Sequence, residues 1–140
     1  MPLISIAQAD VKIKLKGKRI IYDWIKTVII SEKRQPGEIS IVLCSDKYLL
    51  DMNKQFLHHD YFTDIITFDY SAGKTISGEL YISVDRVKEN AGKFKAKFEQ
   101  ELHRVIIHGV LHLCGYMDKS ASDQRKMRSK EDQKLKMLAI

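Results

Sequence analysis

The hydrophobic periodicity of the chain switches repeatedly between the two-residue repeat of strands and the three- and four-residue spacing of helices. Alternation predicts a first strand in LISIAQADVKIKLKG, with one exposed basic face, and further strands in EISIVLCS, TDIITFDY and GELYISV. Helical spacing predicts helices over residues 18–33, from a cap at Ser45, in DRVKENAGKF, over residues 99–113 and over residues 122–138. Because residues 1–140 contain no repeat or linker, this order predicts one α+β domain, a small mixed sheet packed with about five helices.

Composition limits the class of protein. Hydrophobic residues make up 44% of the chain and charged residues 30%, and no apolar run reaches the roughly 18 residues of a membrane span. The stretch MPLISIAQADVK lacks the pattern of a secretory signal. Two cysteines, Cys44 and Cys114, form no CxxC pair, which argues against a cysteine-built zinc module. We therefore expect a cytoplasmic protein, and its net charge of +6 is compatible with a polyanionic partner.

The stretch HGVLHLCGYMDK carries the clearest chemical signal. His108 and His112 would lie about 40° apart on a helix, so both imidazoles can reach one ion. Gly115 can take a positive φ and end the helix, which turns the chain so that Asp118 faces the same ion. The pattern predicts a divalent metal site at the end of a central helix, with two imidazoles, a carboxylate and at least one coordination position left for water.

Other interpretations of this pattern remain open. The spacing is similar to HExxHxxGxxH of the metzincin proteases, but Gly109 stands where their glutamate acts as general base. Two histidines and a carboxylate also occur in non-haem iron oxygenases, and iron, nickel or manganese would suit the same ligands. The alternative without a metal is that hydrogen bonds satisfy the histidines and that Asp118 is a helix cap.

Three segments in the same order resemble a known family. HGVLHLCGYMD matches the signature HGxLHLxGYDH, FLHHDYFTDIITF is similar to YR-x4-PTDVLSF, and GELYIS resembles the strand motif GDIxI. On these motifs the chain resembles the YbeY endoribonucleases, or rRNA maturation factors. The resemblance assigns the metal to His108, His112 and Asp118, where most members have a third histidine. It also aligns Leu57 with an arginine of the family.

The resemblance implies a single-domain, zinc-dependent endoribonuclease specific for single strands. Its expected role is maturation of the 3′ end of small-subunit (16S) ribosomal RNA and ribosome quality control. The expected partners are single-stranded and ribosomal RNA, with small-subunit proteins as further candidates, and neither DNA nor a membrane is expected. The mechanism would be hydrolysis of a phosphodiester by metal-activated water. No side chain is predicted as a catalytic acid or base.

Several residues are candidates for supporting this chemistry. Lys119, His58 and His59 could contact substrate phosphates, and Asp64 could orient a ligand histidine through a hydrogen bond. Further basic and aromatic residues could contact an RNA strand. For the last helix a solvated face is the simpler interpretation, because Asp123, Glu131 and Asp132 lie among its basic residues. The candidates are Lys12, Lys14, Lys16, Arg125, Lys126, Arg128, Lys130, Lys134, Lys136, Tyr61, Phe62 and Tyr116.

Two other functions compete with the endoribonuclease. One is a non-catalytic factor that binds ribosomal RNA or protein and uses its metal structurally, which Leu57 in place of arginine favours slightly. The other is a metal hydrolase that acts on a peptide or small molecule, against which Gly109 counts. An open coordination position would favour either enzyme over the structural metal.

Overall fold

A four-stranded mixed sheet in the order β1-β2-β4-β3 lies at the centre of the computed structural model, which describes residues 3–138. The parallel pairs are β1 with β2 and β2 with β4, whereas β3 is antiparallel to β4. The strands are β1 (Ile4–Gln8), β2 (Gln35–Cys44), β3 (Ile65–Asp69) and β4 (Thr75–Ser83). The helices are α1 (Lys18–Ser31), α2 (Asp46–Leu57), α3 (Val84–Lys93), α4 (Phe98–Leu113) and α5 (Ala121–Leu135). This architecture confirms the predicted α+β domain with five helices.

The two faces of the sheet are covered unequally. One face carries the main hydrophobic core, in which α1 and α4 pack on alternate residues of the strands such as Ile41, Leu80 and Ile82. The opposite face has a smaller cluster of Cys44, Leu49 and Ile66 under α2. Since successive side chains of a strand point to opposite faces, this division follows from the alternation in the sequence.

The first strand is shorter than predicted. It ends at Gln8, and residues 11–17 lie outside the sheet. The side chain of Gln8 both donates to the carbonyl oxygen of Ile13 and accepts from its backbone nitrogen, at 2.9 and 2.8 Å. The carboxylate of Asp10 accepts a hydrogen bond of 2.9 Å from the backbone nitrogen of Ser45. These contacts take the chain away from β2, so the predicted strand was wrong beyond Gln8, although the lysines at 12, 14 and 16 are exposed as expected.

Helix α4 lies very close to the sheet because a glycine faces the strands. A Cβ atom at Gly109 would lie 2.8 Å from Cδ1 of Ile65 and 3.0 Å from both Cδ atoms of Leu80. The first distance is shorter than real Cβ contacts, and the second would require the side chain of Leu80 to move. On the sheet, a Cβ at Gly78 would be 2.8 Å from a methyl group of Leu113. Helix α4, which carries the histidine motif, is therefore fixed against β3 and β4.

Among residues 3–138, no helix combines the length and apolar composition that a membrane crossing requires.

Candidate metal centre

Three side chains at the carboxyl end of α4 form a nearly equilateral triangle of ligand atoms. Nε2 of His108 and Nε2 of His112 are 3.0 Å apart, and Oδ2 of Asp118 lies 3.3 Å from the first and 3.2 Å from the second. Tetrahedral Zn²⁺ with bonds of about 2.0–2.1 Å needs ligand atoms separated by roughly 3.3–3.4 Å. The three side chains therefore fit one divalent ion, and in the described part of the chain they are the group whose geometry suits a metal.

The turn after α4 brings the carboxylate to the histidines. Gly115 has a φ of 104°, and its backbone nitrogen donates to the carbonyl oxygen of His112 while that of Tyr116 donates to Leu111, both at 3.0 Å. These two bonds form a Schellman motif, in which glycine takes the positive φ at little cost. The predicted stop at Gly115 is thus confirmed, and it reverses the chain toward Asp118.

The Nδ1 atom of each histidine donates a hydrogen bond to a fixed acceptor. Nδ1 of His108 is 2.6 Å from Oε2 of Glu131, and Nδ1 of His112 is 2.9 Å from the carbonyl oxygen of Tyr116. Because a carboxylate and a carbonyl can only accept, both Nδ1 atoms carry a proton, which leaves Nε2 as the nitrogen of each neutral ring that can bind a metal. Such partners fix the ring orientation that a metal ligand requires.

Glu131 on α5 is the main electrostatic support of the site. Burial by itself raises its pKa, but hydrogen bonds from His108 and from Arg104, at 2.6 and 2.7 Å, outweigh burial and hold the pKa below its usual value. Burial likewise lowers the pKa of His108, whereas the contact with Glu131 outweighs it and raises the pKa. Arg104 reaches Asp132 as well, at 2.6 Å. Glu131 is therefore ionised, and it makes charge-assisted hydrogen bonds with His108 and Arg104.

The triangle opens into two cavities. The helix-side cavity, of about 360 Å³, lies between α3, α4 and α5, and the strand-side cavity, of about 370 Å³, lies along β3. His108 and Asp118 line both cavities, as does Asp64, whereas His112 lines the strand-side cavity. The side chains of the ligands are 23, 26 and 42% exposed. A metal held here would be accessible to solvent, which leaves room for the water or substrate that occupies the open position of a catalytic site.

The structure explains why glycine follows the first histidine. Gly109 packs directly against Ile65 and Leu80, and a side chain at this position would collide with both. A glutamate at this position would have to displace these apolar side chains before it could reach a water molecule at the metal. The peptidase interpretation therefore lacks its glutamate, and the packing around Gly109 leaves no space for one.

The predicted orienting residue lies near the metal triangle, but other groups bind the histidines. Asp64 lines both cavities, and burial raises the pKa of its carboxyl. Nδ1 of His108 donates instead to Glu131, and Nδ1 of His112 donates to the carbonyl oxygen of Tyr116. The role predicted for Asp64 stays a prediction.

The predicted substrate residues occupy exposed positions. His58 is the residue after α2, with a φ of 57°, and His59 stacks on Tyr61 at 5.1 Å between ring centroids. Neither histidine lines either cavity. Lys119 is exposed and directly follows Asp118. A role in substrate binding stays a prediction for all three, and only Lys119 is placed by the chain next to a ligand.

The sequence interpretation missed Glu131, because it was counted as part of a solvated face. It is one of three buried residues on α5, with Met127 and Lys134, spaced by four and three positions. That spacing marks one face of a helix. The signal that could have found it is an acid in the same stripe as the methionine, since an unpaired acid is rarely buried.

Comparisons with known proteins point to one family. The family model described as Endoribonuclease YbeY matches residues 3–139. The curated protein "Endoribonuclease YbeY" of Flavobacterium psychrophilum is 50% identical over 131 residues, covering 94% of both chains, and that of Phocaeicola vulgatus is 44% identical over 138 residues, covering 99% of this chain and 100% of its own. A solution structure of a Thermotoga maritima protein matches with a TM-score of 0.66 and 28% identity, covering 96% of this chain and 88% of the other.

Proposed function

Because this chain belongs to the YbeY endoribonuclease family, we propose that its metal centre hydrolyses phosphodiester bonds in single-stranded RNA, and that its cellular role is maturation of the 3′ end of 16S ribosomal RNA and ribosome quality control. The family membership makes the chain a hydrolytic nuclease. The observation that carries the metal-dependent mechanism is the triangle of ligand atoms, 3.0–3.3 Å apart and open to two cavities.

His108, His112 and Asp118 would hold one divalent ion, with Zn²⁺ favoured by the nitrogen-rich ligand set. Such an ion supplies Lewis acidity that activates water and withdraws charge from a phosphodiester oxygen. Glu131 keeps the proton on Nδ1 of His108, and the carbonyl of Tyr116 keeps the proton on Nδ1 of His112. Both rings are thereby aimed before any ligand arrives, which reduces the cost of ordering them on binding.

The surroundings of the triangle offer cations for an RNA backbone. Lys119 follows a ligand directly and is exposed, and Arg128 lines the helix-side cavity together with His108. Lysine side chains attract phosphates without regard to base sequence. We assign Lys119 to the phosphate next to the cleaved bond, a role that the family arginine cannot supply here because Leu57 replaces it.

The number of ligands argues against a purely structural metal. Structural zinc sites are usually closed by four protein ligands, whereas catalytic sites have three and leave a position for water or substrate. Among residues 3–138, the metal-binding group has three members. This supports the enzyme over the assembly factor with a structural metal.

Elemental analysis tests the site first, on protein purified without chelators. Wild type should contain close to stoichiometric metal, and His112→Ala and Asp118→Ala should lose it. His58→Ala is the matched control, because it removes an exposed histidine outside the triangle and should keep the metal. If wild type binds no metal even when zinc is offered, the site is refuted.

Cleavage of RNA tests the activity. The metal-loaded wild type should cut a single-stranded oligoribonucleotide and leave the same sequence intact when it is paired in a duplex, and the two ligand variants should cut neither. Equal cleavage by wild type and Asp118→Ala would refute the metal mechanism. An RNA substrate and ribosomal partners also support a cytoplasmic location, which fractionation of cells would test.

A further inference from the structure

The helix-side cavity contains a buried carboxylate that the metal chemistry does not use. Glu101 lines this cavity and is 7% exposed. In the described part of the chain, its carboxylate takes part in no hydrogen bond or ion pair, although Arg104 lies nearby on the same helix. Burial is the main cause that raises the pKa of this carboxyl above its usual value.

A buried carboxylate without a partner is costly, so its surroundings indicate what it faces. No side-chain nitrogen or oxygen that is sealed from solvent lacks a partner among residues 3–138. The oxygens of Glu101 must therefore be reached from outside. Glu101 lines a cavity of about 430 Å³ between the start of α4 and the end of α5, and it also lines the helix-side cavity, which is the one of these two that contains metal ligands. The carboxylate is positioned to accept hydrogen bonds from a molecule that enters there.

An aromatic ring and an arginine form another part of the same wall. Phe94 is 59% exposed, which is unusual for so large an apolar side chain, and the guanidinium of Arg128 lies 5.9 Å from its ring centroid. Both residues line the helix-side cavity, as do the amide side chains of Asn90 and Gln124. Exposed aromatic rings and arginine planes are the surfaces on which unpaired bases of RNA stack.

The spacing along α4 connects this wall to the metal ligands. Glu101 and His108 are seven residues apart, so they lie on nearly the same side of the helix and about 10.5 Å apart along its axis. Both line the one cavity, of about 360 Å³, a size within the range of small-molecule sites. A nucleotide could thus place its phosphate at the triangle and the far edge of its base near Glu101.

We propose that the helix-side cavity binds the guanine base of a nucleotide next to the cleaved phosphodiester, with Glu101 accepting hydrogen bonds from N1–H and N2–H and Phe94 stacking on the ring. This inference rests on the proposed cleavage of single-stranded RNA and adds a base preference to it.

Guanine is the base that an ionised carboxylate fits. Its Watson–Crick edge presents two neighbouring N–H donors, which match the two oxygens of a carboxylate. Adenine and cytosine each present an amino donor beside a ring-nitrogen acceptor, and uracil presents one N–H between two carbonyl oxygens, so each of them would set an acceptor against Glu101. A bidentate contact of this kind discriminates between bases by about tenfold or more.

The test uses three oligoribonucleotides that differ at one position and are otherwise free of guanine. That position carries guanosine, inosine, which lacks the N2 amino group, or adenosine. For the metal-loaded wild type we expect kcat/KM at the adjacent bond to fall about tenfold from guanosine to adenosine, with inosine between them. Metal-free protein should rank the affinities of fluorescent versions in the same order, which gives a readout independent of cleavage.

Two variants locate the effect. Glu101→Gln should reduce the ratio of guanosine to adenosine cleavage to about threefold or less, because the amide replaces one acceptor by a donor. Glu99→Gln makes the same chemical change on the same helix, outside the cavity, and should keep the wild-type ratio. Thermal denaturation of both variants checks that they fold, and the inosine comparison needs no variant at all.

The outcomes separate the two proposals. If wild type cleaves all three RNAs equally, the guanine pocket is refuted while the endoribonuclease stands. If the preference persists unchanged in folded Glu101→Gln, the assignment to Glu101 is refuted. If wild type cleaves none of the three RNAs with metal bound, the proposed function itself fails.

Discussion

Removing the carboxylate of Glu131 should weaken metal binding even though Glu131 is not a ligand. Its side chain is 7% exposed, and its 2.6 Å contact with Nδ1 of His108 is a charge-assisted hydrogen bond. Bonds of this class contribute about 1.5–3 kcal/mol, which corresponds to roughly a tenfold to hundredfold change in affinity. We expect Glu131→Ala to lower zinc affinity by about 100-fold, and Glu131→Gln, which retains one acceptor oxygen, by about tenfold.

Competition with a fluorescent zinc chelator at about pH 8, where protons compete little for imidazole, measures these affinities. Asp132→Asn is the matched control, because Asp132 also accepts from Arg104, at 2.6 Å, but is 54% exposed and touches no ligand. It should bind zinc within about twofold of wild type. An unchanged affinity in Glu131→Ala, or an equal loss in Asp132→Asn, would refute the orienting role. Thermal denaturation of the metal-free variants separates this effect from unfolding.

Three further predictions concern stability and thiol chemistry. Gly109→Glu should cost at least about 3 kcal/mol in the free energy of unfolding, because it combines overpacking of the core with a buried charge; a urea midpoint close to that of wild type would contradict the packing described for α4. Burial raises the pKa of Asp46, but hydrogen bonds from Arg86 outweigh it and hold the pKa below its usual value. The stability that Asp46 contributes relative to Asp46→Asn should therefore be complete at pH 6 and lost as pH falls below about 4, and a difference that persists at pH 2 would oppose this. Burial raises the pKa of Cys44 to about 12 and that of Cys114 to about 11, so Ellman's reagent should label these thiols only after denaturation, and rapid labelling of the native protein would count against their burial.

The elements that could be predicted from sequence are those whose pattern is local. The helix from Ser45 begins as expected, with the serine hydroxyl accepting from the backbone nitrogen of Tyr48, and Gly115 ends α4 in the predicted conformation. Capping and positive φ depend on residues a few positions apart, which a sequence displays directly. The histidine spacing is local in the same sense, and the triangle with Asp118 follows from it.

The features that could not be predicted depend on contacts between distant residues. The alternation through Lys12, Lys14 and Lys16 is typical of a strand, yet the segment forms no ladder because Gln8 and Asp10 bind elsewhere. Periodicity reports which side of a segment is buried, but it does not identify a pairing partner. The contact of Glu131 with His108 joins residues 23 positions apart. The sequence indicates it only through the position of Glu131 on the same face of α5 as Met127.

Helix α5 supplies no metal ligand, yet its docking depends on polar contacts at two places. Glu131 accepts a hydrogen bond from Nδ1 of His108. Lys134, 4% exposed, donates to Ser31 at the end of α1 and pairs with Glu32, the next residue, both at 2.9 Å. A ligand that binds only the folded arrangement stabilises it by mass action, so occupation of the metal site and attachment of α5 share one local unfolding equilibrium. Amide hydrogens in the middle of α5 should consequently exchange with solvent more slowly in the metal-loaded protein, which makes this helix a reporter of a site to which it contributes no ligand.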